Sequence, residues 1–95
     1  MSNKEQLRLA TRIYIIAHSG NRAYDWMESH GMLRKGWRDP RVRVLSTMSD
    51  LEEVREGEGT VFQFLEGWKA GRSPDFCAAL WLRFRATMLN NPVKQ

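Results

Sequence analysis

An all-α fold, a compact single domain of four to five short helices, is what the sequence predicts over residues 1–95. Three observations carry that expectation. Apolar residues recur at helical spacing in most segments, helix caps punctuate the chain, and the last segment is the strongest helix signal of all. In that segment Ser73-Pro74-Asp75 precedes FCAALWLRFRATML. Ser73 can accept from an orphan backbone N–H, and Pro74 suits the first helical position, where no N–H is needed.

At 100° per residue this helix carries two apolar sides. Phe76, Cys77, Leu80, Trp81, Phe84 and Met88 form one, and Ala78, Leu82, Ala86 and Leu89 form the other. An ordinary surface helix buries one stripe. A helix with two is either wrapped centrally by its own domain or lends one face to another chain, and the shared face is preferred. The residues assigned to a partner are Ala78, Leu82, Arg85 and Leu89.

The other elements follow from the N-terminus. Asn3 to His18 places Leu7, Ala10, Ile13, Tyr14 and Ala17 on one helical face, although the β-branched Arg12–His18 portion (RIYIIAH) competes as a strand. Ser19-Gly20-Asn21 makes a turn and cap, Ala23, Trp26, Met27 and His30 form a helical stripe, and Gly31 stops it. Met32 to Arg38 reads as a loop. Asp39-Pro40 opens a helix carrying Val44, Leu45, Met48, Leu51 and Val54 to about Arg55. The competing reading makes 41–45 (RVRVL) a short strand and starts a helix at a Ser49/Glu52 capping box. A β element at 12–16 or 41–45 is therefore the alternative. Thr60 and Gln63 fit another capping box, and Val61, Phe64, Leu65 and Trp68 make a stripe that ends at Gly71.

Composition narrows the function classes. Of the 95 residues, 42% are hydrophobic and 27% charged, which suits a folded domain rather than a disordered chain. The single cysteine, Cys77, cannot form an intrachain disulfide, and its apolar neighbours suggest a buried thiol in a reducing, cytoplasmic setting. The opening MSNKEQLRLA lacks signal-peptide order, and the longest apolar run, Phe76 to Leu82, is too short to span a bilayer.

The net charge of +4 is unevenly spread. Residues 34–43 hold five basic groups and one acidic group, whereas residues 50–58 hold five acidic groups and one basic group. The first segment, with Arg34, Lys35, Trp37, Arg38, Arg41 and Arg43, is the candidate basic patch for phosphates and an unpaired base. A helix–turn–helix reading of 49–71 fails because VFQFLEGW offers few polar side chains for base edges. His18, His30 and Cys77 match no zinc spacing, and neither a nucleophile motif nor a phosphate-cradling glycine loop is present.

These features predict a small non-enzymatic regulatory protein without cofactor, metal or evident small-molecule substrate. It binds and inhibits or modulates another protein, or pairs with itself as a homodimer. A nucleic-acid-associated protein using residues 34–43 is the first alternative. A structural subunit of a larger assembly is the second.

Overall fold

The computed structural model describes residues 3–55 and 57–90, with side chains from residue 5 to residue 82 apart from residue 56. Its elements are α1 (Asn3–Leu9), β1 (Arg12–Ile16), α2 (Gly20–Ser29), β2 (Leu33–Arg34), β3 (Trp37–Arg38), β4 (Val42–Val44), α3 (Met48–Glu52), β5 (Thr60–Phe64) and α4 (Pro74–Asn90). Mixed α/β architecture replaces the expected all-α bundle. β4, β1 and β5 form a parallel sheet in that order, and β2 and β3 form an antiparallel hairpin.

The strand reading prevails at 12–16 because β1 has neighbours on both sides. Ile13, Tyr14 and Ile15 register with Val42, Arg43 and Val44, while Arg12 to Ile16 register with Thr60 to Phe64. The second neighbour, TVFQF, carries the mistaken capping-box assignment at Thr60/Gln63. A parallel strand covered on both faces reads as a continuous apolar run, so RIYII lacks the alternation that marks a half-exposed strand. Helix and strand are then hard to separate by period alone.

Alternate β1 side chains enter two cores. Ile13 and Ile15 join Leu7, Ala23, Met27 and Val61 beneath α1 and α2. Tyr14 and Ile16 join Leu51, Phe62, Phe64, Phe76 and Leu80 beneath α3 and α4. The Tyr14 and Phe62 rings stack with centroids 5.4 Å apart, and the Tyr14 hydroxyl accepts from the Arg55 backbone N–H at 2.9 Å. Connections from β1 and from its two neighbours thus leave toward opposite faces, the doubly wound arrangement.

Local chemistry explains where the expected helices stop. Arg41 donates through Nη1 to the Leu7 carbonyl at 2.9 Å and the Ala10 carbonyl at 3.0 Å, which satisfies the end of α1. The chain then turns into β1, where the Thr11 N–H donates to Gly59 O at 2.8 Å. The segment expected to be one helix from Asp39 divides into β4 and α3. Thr47, not Ser49, caps α3: the Asp50 N–H donates to Thr47 Oγ1 at 3.3 Å, and Asp50 Oδ2 accepts from the Thr47 N–H at 3.0 Å.

Gly59 is held at φ +84°, and a Cβ there would lie 2.8 Å from Thr11 Oγ1. Gly36, in the β2–β3 turn at φ +78°, has open space around the same position. Gly36→Ala should cost about 1–2 kcal/mol for the left-handed backbone alone. Gly59→Ala should cost more, about 2–4 kcal/mol, because steric conflict adds to the same strain. Urea unfolding of the two variants measures the difference.

Candidate functional site

The hairpin converts part of the basic segment into a shaped surface. Lys35 and Gly36 make its two-residue turn, with Arg34 opposite Trp37 and Leu33 opposite Arg38. Directly opposed residues project from the same face of an antiparallel pair. Leu33 packs against the core beneath α2, so Arg34 and Trp37 occupy the outward face. There the Arg34 guanidinium lies 5.2 Å from the Trp37 ring centroid, and Trp37 remains 45% exposed. The expected loop at 32–38 is therefore largely this hairpin.

Arg38 turns toward the sheet and donates through Nη2 to the Val42 carbonyl at 3.4 Å. It shares a cleft of about 250 Å³ with Tyr24, Arg43, Asp50 and Glu53. Tyr24 reaches the cleft from α2 and is 46% exposed. Arg43 and Glu53 approach to 3.9 Å with both side chains largely in solvent, a geometry that contributes little stability. Asp50 is occupied by the backbone N–H groups of Ser46 and Thr47, at 2.7 and 3.0 Å.

Arg41 stands apart from this patch. Its Nη2 lies 2.7 Å from Asp39 Oδ2, its Nε 3.0 Å from Asp39 Oδ1, and its Nη1 holds the α1 carbonyls. The guanidinium is committed to folding. The Arg41 hydrogen bonds lower the Asp39 carboxyl pKa, with burial opposing them, and the same bond raises the Arg41 pKa. Beside this pair, a groove of about 810 Å³ runs between α1 and α2, with Trp26, His30 and Gln63 in its lining.

α4 begins as its cap predicts, with the Phe76 N–H donating to Ser73 Oγ at 3.1 Å. Phe76 and Leu80 are buried, whereas Trp81, expected on their face, is 50% exposed. Cys77 is half-buried rather than fully enclosed. Ala78 is exposed, and Leu82 is 77% exposed. Arg85 and Leu89 belong to α4, and their side chains lie outside the described residues, as do those of Phe84, Ala86 and Met88.

At the carboxyl ends of the strands, where doubly wound sheets commonly receive ligands, the protein places its own arginine. Arg72 donates through Nη2 to the Ala17 carbonyl and through Nη1 to the Ser46 carbonyl at 2.9 Å, and its guanidinium lies 5.4 Å from the Phe76 ring centroid. Its Nε is buried without a hydrogen-bond partner. His18 Nδ1 sits 2.8 Å from the Ala70 carbonyl, and Ser19 caps α2 by accepting from the Arg22 N–H at 3.3 Å. His30 Nδ1 likewise lies 2.8 Å from the Trp26 carbonyl.

Sequence reasoning missed Tyr24 and Arg72. Tyr24 lies off the apolar stripe of α2, so only its exposed ring on a helix already assigned could have drawn notice. Arg72 has no sequence signal without the parallel sheet.

A scan against protein-family models finds no match, and neither the curated proteins nor the solved structures contain a significant one. Among the described residues, no group of three His, Cys, Asp or Glu side chains is arranged to hold a metal ion. No helix there is long and apolar enough to cross a membrane.

The Asp39–Arg41 pair sets a pH dependence. Because the folded-state Asp39 pKa is depressed, its contribution is complete above the unfolded value of about 3.9 and is lost as pH falls through the lower folded value. Asp39→Asn should cost about 1.5–3 kcal/mol at neutral pH. The difference from the parent should shrink below about pH 4 in urea titrations.

Proposed function

We propose that this chain is a non-enzymatic regulatory module that binds another protein through the outer face of α4. The observation that carries this reading is the adjacent pair Trp81 and Leu82, 50% and 77% exposed on a helix whose Phe76 and Leu80 are already buried. Ala78, one turn before Leu82, is exposed beside them. Tryptophan is among the side chains that most often carry the binding energy of protein interfaces. Arg85 and Leu89 continue the row by helical position.

Arg72 supports the same reading. Its bonds to the Ala17 and Ser46 carbonyls occupy acceptors at the carboxyl ends of β1 and β4, the end of a doubly wound sheet that commonly receives ligands. The partner is a different protein or, on the same face, a second copy. A reducing cytoplasmic setting suits the one free thiol, Cys77.

A photo-crosslinking amino acid at position 78 tests the proposal in cells, with one at exposed Glu28 on α2 as the control. A discrete adduct from position 78 alone is expected, and its mass separates a homodimer of the 11.1 kDa chain from a heterologous complex. Adding Leu82→Glu should remove the adduct while changing stability by no more than about 0.5 kcal/mol. No adduct at 78, or equal labelling at 28, would reject α4 as the binding face.

A further inference from the structure

We infer that the outward face of the β2–β3 hairpin, continued along the β4 side of the sheet, is a binding track for single-stranded nucleic acid. The inference is independent of α4, which packs on the opposite core. The track requires aromatic rings open to stack on bases and cations spaced along a backbone path. Trp37 and Tyr24 supply the rings, each almost half exposed. Arg34 is already stacked against Trp37, and Lys35 stands at the turn beside it.

From that face the path rounds the edge of the hairpin to Arg38, which shares the inward side with Leu33, and enters the cleft that Tyr24 and Arg43 line. Arg43 also borders a larger groove of about 730 Å³, which adds Arg12 and Arg55 and faces Glu52 and Glu53. Carboxylates do not cancel this charge along the hairpin. Residues 33–38 contain three basic groups and no acidic one. Asp39, next in the chain, is paired with Arg41, whereas in the cleft Asp50 and Glu53 face Arg38 and Arg43, so the hairpin is the cationic part of the track. Glu53 lies 3.9 Å from Arg43 in solvent, loosely enough for a phosphate to compete.

The geometry favours single strands over duplexes. Bases in a duplex are stacked on one another, whereas a protruding tryptophan can use the face of an unpaired base. An acidic peptide would satisfy the arginines, and what favours a nucleic acid is that every base offers a face to stack on Trp37 or Tyr24.

Fluorescence anisotropy with labelled dT12 and U12 tests the track, using the full chain at about 50 mM and about 200 mM salt. Binding should weaken linearly on a log–log plot against salt. Trp37→Ala should lower affinity about tenfold, and Trp37→Phe should retain most of it. Arg34→Glu with Lys35→Glu should abolish binding, and Leu82→Glu should leave it intact. Circular dichroism checks that each variant keeps its fold, and Tyr24→Ala provides a second aromatic variant should Trp37→Ala lose it. No binding at about 50 mM salt overturns the inference. So does unchanged affinity on removal of either ring in a folded variant, or equal binding of a duplex, heparin or poly-glutamate.

Discussion

The two-sided burial of β1 is the constraint on which the remaining structure depends. Ile13, Ile15 and Ile16 have no solvent exposure, and Tyr14 is nearly covered. Four consecutive residues can be enclosed this way only if both strand edges are paired and both faces carry helices. β4 and β5 meet the first requirement, α1 and α2 with α3 and α4 the second. Each residue in the run removes apolar area from water, worth roughly 25 cal/mol per Å². The short flanking elements would have little to pack against without it. β4 is three residues long and α3 five.

Much of the local punctuation was legible in the sequence, and the long-range pairing was not. Ser73-Pro74 marks the start of α4, and the Ala23–Met27 stripe identifies α2, because both signals lie within a few residues. RIYII was ambiguous because burial on both faces erases its period. TVFQF was misread because Thr60 and Gln63 have the spacing of a capping box, although Thr60 is a buried strand residue whose hydroxyl donates to the Arg55 carbonyl at 3.2 Å. A parallel sheet joins segments dozens of residues apart, and no short window records that choice. The misassigned Ser49/Glu52 box shows the same limit: several residues near position 48 can cap, and where β4 ends selects Thr47.

The basic segment illustrates how folding sorts residues of one charge into different tasks. Composition treats Arg34, Arg38, Arg41 and Arg43 as equivalents. In the fold, Arg41 closes α1 and binds Asp39, Arg34 lies against Trp37, and Arg43 remains largely in solvent. Arginine suits the first task because its planar fork reaches a carboxylate and several carbonyls together. α4 divides its two apolar sides comparably: Phe76 and Leu80 supply the core while Leu82 faces outward. A stripe drawn at 100° per residue placed Trp81 inward, one position from where packing puts the boundary.

A three-stranded sheet has two margins, and the β4 margin is the shorter. Its Val42 N–H donates to the Asp39 carbonyl at 3.2 Å, and the Val42 carbonyl accepts from Arg38. An incoming strand would find that rung occupied by the protein's own backbone and a charged side chain. Unprotected margins recruit further strands and begin aggregates. The chain segment leading into β4 therefore acts as an end-stop at Val42, closing one rung of this margin to an incoming strand.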